Sequence, residues 1–422
     1  MGVKNLKKYI REKYPNEIQK MNLSYFYGQV FMMDIMSYIY KYKVTMGDRW
    51  LQSFIHLIKL FKTHNVHVNI VFEGVSPVEK NKEREQRREQ RKKQEQRIKD
   101  IKNDIHEYHK TGIISDLLRD VLEKINKTDT DKINKLLHFN APTPTLTINY
   151  KTLEQIEEYI DKKENQLVTV TENDANKIKD ICDVFGVPYF QSENEAETLC
   201  CRMCKNVKDQ ENKEQNKAPL GVISEDSDVL AYGANMLVCD LNISNGDCNV
   251  IYLPSLLKSM NFSYNEFLDF CILSGTDYNN NIPGIGTIKC LELMRKYKSI
   301  ETIFNNEEKL IDKKINDAKL KSMKRKNDKN KENKENDKEL DKEIEDGSSM
   351  ENEIEDDMTT MKLYKQMKRS RELFDDIEQS TQKSKYWDTN IDNSKVCECC
   401  LIHNIEPSLI EKLWSNDIKL LH

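Results

Sequence analysis

The sequence of 422 residues predicts an α/β fold in which a central, mostly parallel sheet is flanked by helices. Three apolar runs of strand length support this prediction: residues 29–33, 67–72 and 220–224. Acidic side chains follow each run within a few residues, and helix-length amphipathic segments separate the runs. Strands that alternate with helices in this way are typical of βα units, which build parallel sheets.

The N-terminal part of the chain contains two predicted βα units. The strand at 29–33 leads into Asp34, and the strand at 67–72 leads into Glu73. The predicted helices around these strands comprise residues 1–12, 35–43 and 50–62. Because open α/β sheets bind ligands at the carboxyl ends of their strands, Asp34 and Glu73 are candidate site residues.

Residues 79–104 are almost entirely polar and have no large apolar side chain before Ile98. They predict a solvent-exposed helix of ~35 Å or more at 1.5 Å per residue. Without an apolar stripe, this helix is not expected to pack a core. A charged run is most often a solvated helix held by i,i+4 ion pairs. Its place directly after Glu73 nevertheless favours phosphate binding, and Lys80 and Arg87 are candidate catalytic residues that could neutralise a phosphate.

The middle of the chain carries further acidic sites. Residues 106–170 combine helical patterns with an APTPTLT break, and we assign no chemistry to them. A predicted helix at 175–184 and a short strand at 187–190 precede one acidic pair, and the strand at 220–224 precedes another. The members of these pairs are Glu195, Glu197, Asp226 and Asp228.

The stretch from 270 to 289 joins a carboxylate to a candidate phosphate site. An apolar helix ends on a turn at Gly275 that presents Asp277, and Gly284 and Gly286 then open a helix that carries Lys289. Glycines let a backbone approach a phosphate closely, and the amides of a helix N-terminus attract it. The alternative is a capped turn between two core helices.

Seven carboxylates follow predicted strands or open predicted helices. They are Asp34, Glu73, Glu195, Glu197, Asp226, Asp228 and Asp277. Gathered at one end of a sheet, they would repel one another and would not stay ionised together unless cations lay between them. Oxygen ligands favour Mg²⁺, for which Mn²⁺ can substitute, over zinc. Two such ions can activate water and stabilise the leaving oxygen in phosphodiester hydrolysis, with Asp34 and Asp226 as central catalytic residues.

Other function classes lack support in the sequence. None of the eight histidines lies in the acidic motifs, which argues against a histidine-based nuclease or a serine triad. A P-loop is absent, and glycoside hydrolysis needs two acids rather than seven. We find neither an apolar run long enough for a membrane span nor a signal peptide. The net charge of -5 does not exclude nucleic acid, because local patches decide phosphate affinity.

Two clusters of cysteines raise zinc binding as an alternative to a place in the core or to ordinary thiols. We interpret Cys200, Cys201 and Cys204 as core residues, because no second pair stands at zinc spacing. The C-terminal cluster comprises Cys397, Cys399, Cys400 and His403. Its spacing is unusual for zinc, and we interpret it as ordinary thiols. Eleven cysteines, mostly inside apolar patterns, fit a reducing compartment.

Low-complexity sequence sets the expected domain divisions. Residues 307–360 are dominated by Lys, Asn, Glu and Asp, and we expect disorder there. The expected divisions are an N-terminal region at 1–105, an insertion at 106–170, an internal region at 171–306, the charged insertion at 307–360 and a C-terminal helical segment at 361–422.

Six motifs, in order, resemble those of the structure-specific 5′ nucleases, a family that includes flap endonuclease, the XPG repair nuclease and exonuclease relatives. The motifs are MGVKNL, FMMDIMSYIY, VFEGVSPVEKNKEREQRR, NEAETLC, ISEDSDVLAYG and CILSGTDYNNNIPGIGTIK. A later SRELF is similar to the family's C-terminal segment. The resemblance implies an α/β nuclease fold with a charged helical arch and a helix-turn-helix DNA-binding element.

The resemblance also implies two metal sites. Asp34, Glu73, Glu195 and Glu197 look like the ligands of one ion, and Asp226, Asp228 and Asp277 complete the other. Glu195 and Asp277 are thereby also expected to lie against the DNA, together with Gly275.

Further implied roles concern DNA. Lys80 and Arg87 match the basic pair at the foot of the arch through which a 5′ single strand passes. Tyr40 stands where the family stacks an aromatic ring on a base, and Gly2 matches the N-terminal glycine beside the active site. The turn comprising Gly284, Gly286 and Lys289 resembles the helix-turn-helix that grips duplex phosphates, often with K⁺.

The implied function is a Mg²⁺-dependent 5′ flap endonuclease and 5′–3′ exonuclease that cleaves branched or flapped DNA in replication and repair. We expect a monomer in the nucleus or another intracellular site of DNA replication, with no membrane association. Glu73 replaces the Asp usual in flap endonucleases, so a junction- or bubble-cleaving enzyme is an alternative. A 5′ exoribonuclease and a catalytically inert DNA-binding homologue are others. Because no clear sliding-clamp box stands near the C-terminus, clamp binding is not predicted.

Overall fold

The computed structural model describes residues 3–128, 150–205, 218–331, 358–375, 383–387 and 392–405. Gly2 therefore lies outside the described residues. The strands found there are β1 (Ile18–Asn22), β2 (Val30–Asp34), β3 (His67–Phe72), β4 (Tyr189–Gln191), β5 (Val222–Ile223), β6 (Met236–Cys239) and β7 (Asp247–Tyr252). They form one sheet.

The sheet order is β1-β7-β6-β5-β2-β3-β4. The five strands from β6 to β4 run parallel, whereas β7 is antiparallel to both β6 and β1. The predicted α/β fold with a mostly parallel sheet is confirmed. The apolar runs did not predict β6 and β7, which extend the sheet beyond β5.

Helices cover both faces of the sheet. In the described residues they are α1 (Leu6–Lys13), α2 (Met36–Met46), α3 (Trp50–Thr63), α4 (Asn81–Thr111), α5 (Asp116–Thr128), α6 (Tyr150–Asn165), α7 (Glu172–Phe185), α8 (Ala196–Lys205), α9 (Asp228–Ala231), α10 (Leu253–Met260), α11 (Tyr264–Ser274), α12 (Thr287–Tyr297), α13 (Ile300–Asn306), α14 (Glu308–Lys331), α15 (Thr360–Asp375) and α16 (Asn393–Ile402). No helix among them is both long and apolar enough to cross a membrane.

Two cores sandwich the sheet because successive residues of a strand point to opposite faces. In β2, Met32 packs with α1, α8, α11 and α12, whereas Phe31 and Met33 pack with α2, α3 and α7. All five residues of β2 are buried. A buried central strand fixes the register of the sheet, and it places Asp34 at the carboxyl edge.

The long basic helix α4 is present as predicted, but the expectation that it packs no core was wrong for its second half. Ile98 and Ile101 are buried against Leu118 and Val121 of α5 and Ile156 of α6. These partners lie in the region predicted as an insertion. That region therefore supplies a separate small core that supports the distal half of α4.

The C-terminal part of the chain returns to the body of the protein. Helix α14 occupies the start of the segment expected to be disordered, and its Ile311 and Ile315 are buried in the core; residues 332–357 lie outside the described residues. Helix α15 lies at the start of the C-terminal segment that was expected to be helical. At residues 383–387, the Asn69 amide exchanges hydrogen bonds of 2.8 and 2.7 Å with the backbone of Lys385. The segment thus packs beside the start of β3, whose pairing with β4 begins only at Ile70.

Candidate active site

The predicted acidic residues meet at the carboxyl edge of the parallel strands. Asp34 ends β2, and Glu73 directly follows β3. Glu195 follows β4, and Asp226 follows β5. Glu197 and Asp228 lie in the first turns of α8 and α9. Asp277 follows α11, which is the element that joins this edge to the glycine turn.

The charges of these carboxylates act on one another. Burial raises the pKa of Asp34 to about 6, and the charge of Asp226 adds to the effect. Burial also raises the pKa of Glu73 to about 7, reinforced by Asp34 and Glu195. The pKa values of Glu197 and Asp228 lie well above the usual range, first from burial and then from neighbouring carboxylates. The seven acids therefore form one electrostatic cluster.

Ser224 links two of the central acids and was missed in the sequence. Its hydroxyl donates to Asp34 Oδ2 at 3.2 Å and accepts from the amide of Asp226 at 3.0 Å. Asp226 Oδ1 in turn accepts from the amide of Asp228 at 2.9 Å. The one sequence signal for Ser224 is its place between β5 and the acidic pair.

The backbone approaches closely where Glu73 meets the next acidic loop. The amide of Gly74 donates to the carbonyl of Asn194 at 2.7 Å. A Cβ at Gly74 would lie 2.3 Å from the carbonyl oxygen of Ser192, which is far inside van der Waals contact. Only glycine permits this approach, which brings the loop of Glu73 against the loop of Glu195.

Both predicted cations reach the cluster from the base of α4. Lys80 Nζ lies 2.6 Å from Glu195 Oε1 and 3.8 Å from Asp277 Oδ2. Arg87 Nη2 lies 3.4 Å from the same Asp277 oxygen, and its Nε contacts Glu83. Burial alone would lower the pKa of Lys80, but the charges of Glu195 and its neighbours outweigh burial and raise it. Lys80 is therefore a charged ammonium inside the acid cluster.

A further lysine at this place was not predicted. The amide of Lys4 donates to the carbonyl of Gly275 at 3.0 Å, and Gly275 has a φ of 97°. Burial lowers the pKa of Lys4, and the charges of Asp277 and Glu83 oppose this. The side chain of Lys4 therefore lies within electrostatic range of Asp277 and Glu83.

The predicted phosphate-binding turn is exposed to solvent. Gly284 has a φ of 64°, and Gly286 precedes α12 without a side-chain cap. Lys289 is an exposed residue in the first turn of α12. The side chain of Lys314 on α14 lies 3.8 Å from the point where a Cβ of Gly284 would stand. This turn thus offers exposed amides beside two lysines.

Tyr40 lies on α2 and is half-buried. Its hydroxyl donates to the carbonyl of Gln166 at 3.3 Å, and nearby Lys43 Nζ donates to that of Thr169 at 2.8 Å. The loop that follows α6 is therefore joined to α2. Gly2 lies outside the described residues.

The donor chemistry of the cluster fits a hard divalent cation. All seven side chains offer oxygen, and Asp228 Oδ1 is buried without a hydrogen-bond partner in the described structure. Such an orphaned carboxylate oxygen suits a cation. As the described side chains stand, no group of three or more acids, cysteines or histidines is arranged to hold one ion. Lys80 instead supplies positive charge to the cluster.

The cysteine clusters lie away from this chemistry. Cys200, Cys201 and Cys204 are buried in the core, as interpreted from the sequence. At the C-terminus, Cys399 and Cys400 are buried whereas Cys397 is exposed. His403 Nε2 lies 3.1 Å from Asp180 Oδ2. None of these described thiols belongs to a metal-binding group of three or more side chains.

Comparison with known proteins links this site to a family. Residues 1–95 match the model of the XPG N-terminal domain, and residues 186–277 match that of the XPG I-region. A probable RAD2-like endonuclease of Invertebrate iridescent virus 3 is 30% identical over 324 residues, covering 72% of this chain and 81% of the relative. Flap endonuclease 1 of Glycine max is 25% identical over 322 residues, covering 73% and 70%.

The fold has a similar counterpart among solved structures. The catalytic core of Rad2, in a structure that also contains a DNA substrate, superposes with a TM-score of 0.53. The alignment covers 96% of this chain and 98% of the Rad2 core, at 15% identity. At that identity the likeness concerns the fold alone.

Proposed function

Because the chain belongs to the XPG family of structure-specific nucleases, we propose that it is a Mg²⁺-dependent 5′ flap endonuclease with 5′–3′ exonuclease activity on DNA. Membership makes the chain a nuclease, a hydrolase of phosphodiester bonds. The flap preference, the use of two ions and a role in replication and repair, in the nucleus or another site of DNA replication, belong to the proposal.

One observation carries the proposal: cations from the base of α4 meet the acid cluster at Asp277. Lys80 and Arg87 lie 3.8 and 3.4 Å from the same Asp277 oxygen. A phosphodiester placed at this point would have ammonium and guanidinium groups on one side and carboxylates on the other. Positive charge fixed where negative charge develops stabilises a transition state for phosphoryl transfer.

The carboxylates are proposed to hold the metal. Asp34, Glu73, Glu195 and Glu197 would hold one ion, and Asp226, Asp228 and Asp277 the other. When bound, Mg²⁺ or Mn²⁺ would supply an activated water and stabilise the leaving oxygen. Ser224 orients Asp34 and Asp226 for this task through its two hydrogen bonds.

The surfaces around the cluster suit branched DNA. Exposed arginines and lysines along α4 would attract a 5′ single strand, and Tyr40 would stack on a base near the cleavage point. The amides at Gly284 and Gly286, with Lys289, would hold duplex phosphates, with K⁺ bound at the same turn. We propose that the enzyme acts as a monomer without a sliding clamp, and that Gly2 lies beside the site.

End-labelled DNA tests the proposal. A 5′-flap substrate is incubated with and without Mg²⁺, with nicked duplex, four-way junction, bubble DNA and single-stranded RNA in parallel. We expect Mg²⁺-dependent release of the intact flap near its base. Preferred cleavage of junction, bubble or RNA would contradict the flap assignment and keep the site. Binding without cleavage of any substrate would identify an inert homologue.

A further inference from the structure

Two tyrosine hydroxyls meet one carboxylate oxygen behind the site. Tyr232 Oη donates to Glu195 Oε2 at 3.3 Å. Tyr278 Oη donates to the same oxygen, and the two hydroxyls also contact each other. Glu195 and Tyr232 are 1% exposed and Tyr278 is 7% exposed. Since water has little access, these hydroxyls fix the direction of the Glu195 carboxylate.

The other oxygen of the carboxylate holds the catalytic lysine. Lys80 Nζ lies 2.6 Å from Glu195 Oε1. The same ammonium stands 5.2 Å from the centre of the Tyr278 ring, within the range of a cation–π contact. Tyr278 therefore contacts Lys80 directly through its ring and indirectly through Glu195.

A phenylalanine from the C-terminal helix seats the two tyrosines. The ring of Phe374, fully buried on α15, lies 4.7 Å from that of Tyr232 and 5.3 Å from that of Tyr278. From the same helix, Arg369 Nε reaches Glu79 Oε1 at 2.7 Å. Because Glu79 directly precedes Lys80, α15 supports the lysine in two ways. Phe374 packs against the two tyrosines, and Arg369 holds the residue next to the lysine in the chain.

We propose that Tyr232 and Tyr278, seated on Phe374, are positioning residues that set the place of the Lys80 ammonium through Glu195. The inference rests on the proposed function, in which Lys80 contacts the reacting phosphate. A lysine side chain has four rotatable bonds, so an unheld ammonium would spend much of its time elsewhere. In this scheme the tyrosines touch neither metal nor substrate. They restrict the Lys80 ammonium to the position beside Asp277.

Phenylalanine variants remove each hydroxyl and keep the ring packing. Tyr232→Phe and Tyr278→Phe are compared with Tyr264→Phe, whose hydroxyl donates to the carbonyl of Ala231 outside the cluster. The rate of single-turnover cleavage of 5′-flap DNA should fall about ten- to hundredfold in the first two variants, which is the loss expected when a catalytic group is misplaced. DNA binding and thermal unfolding should stay at the wild-type values, and the control should cleave normally.

A double-mutant cycle ties the effect to the lysine. In a Lys80→Met background, Tyr278→Phe should cause no further loss of cleavage rate, because the group that it positions is gone. If the two losses multiply, or if the tyrosine variants cleave at the wild-type rate, the proposal is overturned. An equal loss of binding and rate would also overturn it.

A readout that needs no cleavage separates this inference from the proposed function. Reductive methylation of the free protein, followed by mass spectrometry, gives the reaction rate of each lysine. Lys80 should react several-fold faster in Tyr278→Phe than in the wild type, while exposed Lys92 on α4 reacts equally in both. A wild type that cleaves no DNA would refute the proposed function. An unchanged Lys80 rate would refute the positioning role of Tyr232 and Tyr278.

Discussion

Arg371 on α15 holds a buried carboxylate between α11 and α13, and its removal should destabilise the fold strongly. Its Nη2 contacts Asp269 Oδ1, and its Nη1 lies 2.6 Å from Glu301 Oε1. Asp269 is 4% exposed and also accepts from the amide of Ile300, the first residue of α13, at 3.1 Å. In Arg371→Ala the charge of Asp269 stays buried without its cation, which costs about 3 kcal/mol or more in comparable cases.

Arg369 on the same helix provides the matched control. It pairs with Glu79 at 2.7 Å and with Glu372 at 3.0 Å, but its side chain is 53% exposed. Surface pairs of this kind are worth about 0–1 kcal/mol. Urea unfolding in the presence of EDTA, followed by circular dichroism, should show a much larger drop in midpoint for Arg371→Ala than for Arg369→Ala. Equal drops would refute the argument from burial.

The pH dependence gives a second check of the same prediction. Burial raises the pKa of Asp269, and the charge of Arg371 opposes that rise. Without Arg371 the pKa should rise further above the unfolded value of about 3.9. When the pKa of a carboxyl is higher in the folded than in the unfolded protein, the free energy of unfolding decreases as pH rises through that range. The stability deficit of Arg371→Ala should therefore shrink as pH is lowered from about 8 to about 5. A deficit that does not change with pH would contradict the assignment to Asp269.

Three further predictions concern the acid cluster. Asp226→Ala should abolish cleavage of 5′-flap DNA and leave binding measurable in a gel-shift assay; retained cleavage would contradict the metal assignment. Neutralising Lys80 and Arg87 together should slow single-turnover cleavage far more than it weakens binding, and equal losses would mean that they only hold the DNA backbone. In EDTA, the thermal midpoint should be lower at about pH 8 than at about pH 6, because Asp34 and Glu73, with pKa values of about 6 and about 7, must ionise inside the fold as pH rises. Added Mg²⁺ should remove most of that difference, and a difference that persists would argue against a cation site.

The sheet and its acidic edge were predictable because their signals are local. Each parallel strand with a site residue is an apolar run with a carboxylate at or just past its end, as at Asp34 and Glu73. The hairpin of β6 and β7 was missed because β6 has only four residues, and so short a run does not distinguish strand from helix by periodicity. Its place in the sheet depends on pairing with β5 and β1, which no local pattern reveals.

Two predictions were wrong because they relied on the residue composition of a segment and not on the spacing of its apolar residues. Residues 308–331 are rich in lysine, yet Ile311 and Ile315 stand one helical turn apart and are both buried. In α4, Ile98 and Ile101 stand three residues apart at the end of a charged run, and they also share one face of the helix. In each case two apolar residues on one face suffice for packing once a partner helix is available. One partner of α4, Ile156 of α6, lies far away in sequence, so local composition could not reveal it.

The proposed positioning tyrosines, Tyr232 and Tyr278, show why the residues that support a site are harder to predict than its ligands. Tyr232, Tyr278 and Phe374 lie far apart in sequence, and each alone fits the pattern of an ordinary core aromatic. What distinguishes the tyrosines is the direction of two hydroxyls toward Glu195, which only the packed fold determines. A carboxylate at the end of a strand can be recognised from the sequence by its residue type and position, because a charged group there requires a structural or functional explanation. A buried tyrosine cannot be recognised in the same way, since the packing of its ring already explains its position. Its hydrogen bond becomes informative only when the acceptor is already known to contact the lysine.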